Sequence, residues 1–164
     1  MIVLKKILVA TDFSKASDTA LEYGRELART SGATLEVLHV AENVISQYAT
    51  EFAFVDFPEV QKQVEEAAQE RLNDLLSKED REQLHATPVL RTHIAPSIAI
   101  VEYARQEQVD LIIMGTHGRG AVAHFLMGSV AERVVRTAPC PVLTVRSPER
   151  EFLMPDALVA VSRT

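Results

Sequence analysis

Six glycines occur in this chain of 164 residues, and four of them fall within residues 114–129, MGTHGRGAVAHFLMGS. Their spacing is Gly115-x-x-Gly118, then nine residues, then Gly128-Ser129. Glycine admits positive φ and lets backbone N–H groups come close to an anion. The stretch follows the apolar run DLIIM and precedes VAERVVR, which has helical spacing. A helix starting at Ser129 would point its first amides and its dipole at that same anion. Arg119 would give a polyphosphate a charge-assisted partner. The pattern is not GxxxxGK[ST], because no lysine precedes Ser129, and not GxGxxG, which opens a helix after a first strand. Glycines that merely shape a long loop are the competing explanation. The position between a central strand and a helix start favours the anion.

Two neighbouring residues carry a second meaning each. Ser129 opens SVAE, an S-x-x-E capping box with Glu132 that needs no ligand. A capping hydroxyl still has hydrogen-bonding capacity for a phosphate, so both roles stay open. Asp12 follows the first strand, where a carboxylate can accept from ribose hydroxyls or cap the first helix in competition with Ser14. His117 and His124 either touch phosphate or face water. The five histidines show no i, i+4 pairing and no cysteine neighbour, which argues against a metal site. No GxSxG elbow is present, and Ser129 has no evident base, so serine catalysis finds no support. Cys140, between Pro139 and Pro141, reads as a buried small apolar residue.

Composition narrows the partners. A net charge of −6 with scattered basic residues argues against a nucleic-acid groove. One cysteine excludes an internal disulfide and fits a reducing cytoplasm. The start, MIVLKKILVATD, is interrupted by Lys5 and Lys6 and reads as a strand rather than a targeting segment. No apolar run approaches the ~20 residues needed to span a bilayer, so no membrane insertion is expected.

The elements that must hold these residues alternate. KKILVAT, TLEVLHV, ATPVLRT, VDLIIMG and PVLTVR read as five strands. A helix capped by Ser14 and stopped at Gly32 would bury Ala16, Ala20, Tyr23, Gly24, Leu27 and Ala28. Residues 41–57 read as an irregular connection. A helix capped by Asp56, with Pro58 in its first turn, would bury Val60, Val64, Ala67, Ala68, Leu72 and Leu75. Further helices start at Pro96 and at Ser129, the latter ending near Thr137. Strand–helix alternation implies an α/β protein, a three-layer α/β/α sandwich around a five-stranded parallel sheet. With strand order 3-2-1-4-5, the crevice lies between strands 1 and 4 and brings ATDFS beside MGTHGRG.

ILVATDFS, DLIIMGTHGRG, GSVAERVVRTAPCPVLTVR and the glycine spacing occur in order, and together they resemble the universal stress protein family over residues 5–146, specifically its ATP-binding branch. The resemblance implies a Rossmann-like fold of the adenine nucleotide alpha hydrolase type. It implies adenine held by backbone groups around Val40 and the end of strand 1, at Ala10, Thr11 and Asp12. Ribose would lie near Asp12 and Gly115. Phosphates would meet the amides of Gly118, Arg119, Gly128 and Ser129, with Val130 and Ala131 completing the turn. Met114 and His117 complete the implied nucleotide set. A Mg2+ or Mn2+ ion would ride on the phosphates with few protein ligands. ATP, ADP or AMP would act as a regulatory ligand in a stress-response homodimer or higher oligomer, paired through Val142, Leu143, Thr144 and Val145 of strand 5. A slow ATP hydrolase, with Asp12 or His117 as base, and a nucleotide-free interaction module are the alternatives. Two positions depart from the family pattern: Ala10, where proline is common, and Ala95, where glycine is common. The domain would span residues 1–147, leaving 148–164 as an extension that adds a strand or an arm on a partner.

Overall fold

The computed structural model describes residues 2–48, 56–116 and 127–147. The elements run β1 (Lys6–Thr11), α1 (Lys15–Ser31), β2 (Thr34–Ala41), α2 (Val44–Tyr48), α3 (Phe57–Leu75), α4 (Lys78–Gln83), β3 (Thr87–Thr92), α5 (Pro96–Gln106), β4 (Leu111–Gly115), α6 (Ser129–Thr137) and β5 (Val142–Val145). All four strand pairings are parallel, as expected from the alternation, and the order is β3-β2-β1-β4-β5, the one on which the crevice was placed. The central strands are covered on both faces, which is why they read as unbroken apolar runs. Ile7 and Val9 of β1 and Ile113 of β4 face one core cluster, shared with α1 and α3. Leu8, Ala10, Ile112 and Met114 alternate into the other, shared with α5 and α6.

Helix α1 starts and stops where its sequence says. Ser14 Oγ accepts from Ser17 N at 3.3 Å, and Gly32 ends the helix in the left-handed region with φ 71°. Its buried face includes Ser17 and Leu21, whereas Tyr23, expected inside, is 43% exposed. Gly24 sets how close the helix lies. A Cβ there would stand 2.4 Å from Val9 Cγ2, so the glycine lets α1 rest directly on β1.

The second crossover differs more from expectation. Residues 41–57 are not wholly irregular, because α2 occupies Val44–Tyr48. It meets α3 at Gln61, and the buried stripe of α3 differs in part from expectation. Val60 and Ala67 are exposed, and Gln61 is buried instead. Gln61 Oε1 accepts from Val44 N at 2.9 Å, while Nε2 donates to the Glu42 carbonyl and to Glu65 Oε1. A buried amide is tolerated there because its bonds are made. The short helix α4 was also not anticipated. It is closed by a capping box in which Ser77 accepts from Asp80 N and Asp80 accepts from Ser77 N. No helix among the described residues is long and apolar enough to cross a membrane.

Candidate functional site

The exit ends of β1 and β4 lie side by side, with Ala10 opposite Met114 in the register. The chain leaving β1 turns sharply. Phe13 takes a left-handed conformation, φ 62°, which costs a non-glycine residue roughly 1–2 kcal/mol. Its N–H donates to Thr11 Oγ1 at 3.0 Å. The Thr11 hydroxyl donates in turn to Ser17 Oγ at 3.0 Å, and Ser17 Oγ donates to the Ser14 carbonyl at 2.8 Å. Asp12 Oδ1 accepts from Ser14 N at 3.1 Å and from Ser14 Oγ at 2.6 Å. The contest between Asp12 and Ser14 is therefore resolved: Ser14 caps α1, and Asp12 braces the cap from the mouth of the crevice.

Behind this corner stands an aromatic stack. The Phe13 and His39 rings have centroids 4.4 Å apart at an interplanar angle of 40°, and the Arg71 guanidinium carbon lies 4.0 Å from the Phe13 ring centroid. His39 Nδ1 is 2.8 Å from the Thr11 carbonyl oxygen. A carbonyl only accepts, so this bond requires the proton on Nδ1. None of these three residues was singled out as a site residue from the sequence. Phe13 is visible only through its positive φ, and Arg71 reaches it from a distant helix with no shared motif.

On the other side of the crevice, Gly115 ends β4. A Cβ there would stand 2.8 Å from Ala16 Cβ and 3.2 Å from Ser17 N. The close approach of α1 alone thus requires this glycine. Thr116 N donates to the Val145 carbonyl at 2.8 Å, and the Thr116 carbonyl accepts from Gly128 N at 2.7 Å. That pair draws the start of α6 to the end of β4.

The capping box expected at SVAE is not formed. Gly128 is the N-cap, with no side-chain capping bond, and Ser129 lies one position inside the helix. Glu132 N bonds the Gly128 carbonyl at 2.9 Å, and the Glu132 side chain instead lies 3.4 Å from Arg136. The Ser129 side chain is exposed rather than folded onto the first turn. The first helical amides, at Ser129, Val130 and Ala131, have no intrahelical acceptor by geometry. Gly128 itself has φ −71° and ψ 154°, a conformation open to any residue. Its backbone therefore gives no reason for a glycine.

Several of the residues read from the sequence are core residues by their side chains. Ala10, Met114 and Ala131 are buried in the α5–α6 cluster, and Val40 and Val130 pack against it. What they can offer a ligand is backbone. Ala95 has φ −128°, so alanine suits the turn before α5 as well as glycine would. Cys140 is half-buried rather than fully buried, and burial pushes its thiol pKa up, away from nucleophilic use. His117, Gly118, Arg119 and His124 lie outside the described residues, as does the extension at 148–164. Among the described residues no group of three or more His, Cys, Asp or Glu is placed to hold a metal ion. Among the described residues the crevice presents the Asp12 carboxylate and the first amides of α6. That set suits a ribose and an anion, with any divalent cation held by the anion itself.

Residues 4–146 match the family model described as the universal stress protein family. A universal stress protein of Thermus aquaticus is 36% identical over 149 residues, covering 88% of this chain and 100% of the relative. The solved structure of the Methanocaldococcus jannaschii protein MJ0577 superimposes with a TM-score of 0.76 at 28% identity, covering 90% of this chain and 99% of that one. A universal stress protein solved in complex with cAMP shares the fold, with a TM-score of 0.57 at 22% identity over 88% of this chain and 98% of that one.

Proposed function

The chain belongs to the universal stress protein family, and on that premise we propose that it binds ATP at the switch point between β1 and β4, as a regulatory ligand rather than a substrate for fast turnover. The observation that carries this reading is the start of α6. Its first amides lack a side-chain cap, and its N-cap is a glycine whose own conformation does not call for one. A phosphate there would satisfy the amides and the helix dipole together, and a side chain at position 128 would stand in its way.

In this reading Asp12 accepts from ribose beside Gly115. The adenine lies against backbone groups of Ala10, Thr11 and Val40, next to Met114. The phosphates meet Ser129, Val130 and Ala131, joined by His117, Gly118 and Arg119. Mg2+ or Mn2+ is held by the phosphates and water. Asp12 is braced by two bonds from Ser14, which suits orientation of a ligand better than proton abstraction. β5 is an edge strand, and a second copy pairing along Val142, Leu143, Thr144 and Val145 would cover that edge in a cytoplasmic homodimer.

Calorimetric titration of nucleotide-stripped protein with ATP tests the reading. Saturable heat is expected, and none at millimolar ATP would leave a nucleotide-free interaction module. The variant Gly128→Val is expected to lose binding without backbone strain, since φ and ψ at 128 admit valine, and its melting temperature is read beside the titration. Retained affinity in that variant would make the glycine incidental.

A further inference from the structure

We propose that the Arg71–Phe13–His39 stack is a positioning device for the nucleotide site, holding the β1–α1 corner in its left-handed turn and thereby fixing the Asp12 carboxylate. The proposal rests on the reading of the crevice as a nucleotide site and adds three residues to it.

Three non-glycine residues among those described have positive φ: Phe13, His85 and Gln108. His85 precedes β3 and Gln108 precedes β4, so both lie where the chain enters the sheet. Phe13 is at the exit side, next to Asp12. Glycine or asparagine would take this conformation at little cost, so a phenylalanine there must return something that they cannot. The ring supplies it. One side of it meets His39, which is tied to the Thr11 carbonyl, and Arg71 of α3 lies over the ring. The corner is thus fastened to β2 and α3 as well as to its own strand. Arg71 makes no ion pair among the described residues, and its guanidinium sits over the ring, a favourable place for a cation. Without the ring, Phe13 would relax toward negative φ. The chain direction between Asp12 and Ser14 would change, and with it the paired bonds from Ser14 to Asp12 Oδ1.

The test compares the parent with Phe13→Ala, Phe13→Gly, Phe13→Tyr and Arg71→Ala by ATP titration, and by amide exchange without nucleotide. Phe13→Ala and Phe13→Gly are expected to weaken ATP about tenfold, Arg71→Ala about threefold, and Phe13→Tyr less than twofold. Exchange at Ser14 N and Ser17 N should quicken in the alanine variants while β4 amides stay protected, which separates a loosened corner from a loosened fold. Arg71 is exposed, so its variant reports even if Phe13→Ala folds poorly. Parent-like ATP affinity in Phe13→Gly would overturn the proposal, because the turn alone would then suffice. Unchanged exchange at Ser14 and Ser17 in Arg71→Ala would overturn it as well. If the parent itself takes up no ATP, the nucleotide reading fails, and the exchange rates alone decide whether the stack holds the corner.

Discussion

The two rims of the sheet are built by different means. Where β1, β2 and β4 begin, charged side chains bond one another and the backbone. Asp110 accepts from the amides of Lys5 and Lys6 at 2.7 and 2.9 Å, and these bonds hold its carboxyl below the usual range. Lys6 Nζ lies 3.2 Å from Glu36 and 3.3 Å from Glu107, and the Tyr103 hydroxyl donates to Glu36 at 3.0 Å. Nearby, Arg25 clasps Asp80 through Nε and a terminal nitrogen. Where the strands end, backbone sets the shape: a left-handed corner at Phe13, a close approach at Gly115 and a helix capped by no side chain at Gly128. A rim satisfied by its own side chains has nothing left to offer. A rim made of turned backbone keeps amides in reserve, and in parallel sheets that is the rim where ligands sit.

Substitutions can break this contrast, and the largest effect is expected at the exit rim. Gly115→Val should cost about 3 kcal/mol, because α1 backbone as well as Ala16 stands in the way. Urea unfolding measures it, and a loss under about 1 kcal/mol would show that α1 can move aside. At the entry rim, Asp80→Asn should cost about 2 kcal/mol, a buried-pair loss discounted because Arg25 is partly exposed. Burial would raise the Asp80 carboxyl, yet the bonds from Arg25 and Ser77 outweigh it and the net shift is down from 3.8. Its contribution is therefore present above the unfolded pKa and lost as pH falls through the folded one. Thermal melts between neutral pH and strong acid should show a flatter acid limb in Asp80→Asn, and an unchanged limb would remove Asp80 from the acid transition. The smallest change in stability is expected for Ser129→Ala, within about 0.5 kcal/mol, because Ser129 caps nothing. Its ATP affinity should still fall in the same titration. A stability loss near 1 kcal/mol, typical of a removed cap, would mean that α6, like α1, is closed by a side chain.

The five strands and the bounds of α6 were legible because buried parallel strands and helix starts leave local marks, whereas the order of the strands was adopted rather than read from them. Given that order, ATDFS and MGTHGRG lie side by side; the register that sets Ala10 opposite Met114 is added by the structure. Other features were hidden for identifiable reasons. SVAE fits a capping box, but the Gly128 carbonyl already takes the Glu132 amide, and the helix begins one residue earlier than the motif assumes. VISQY is too short to show a period, and α2 in turn places Gln61 rather than Val60 inside. At Gly115 the sequence offered a ligand while packing against Ala16 suffices. At Gly128 the backbone conformation does not call for a glycine. The stack on Phe13 joins three elements through contacts that no spacing encodes.

The close approach of Gly115 to α1 has a consequence for recombining such chains. Ala16 Cβ and any Cβ at 115 would share one volume, 2.8 Å apart, so the two positions must be inherited together. A chimaera joining the first strand–helix unit of one relative to the last two strands of another is sterically compatible only when both parents keep small residues at this pair. Crossovers placed between α1 and β4 should therefore fail or succeed according to two residues, whatever the overall identity of the parents.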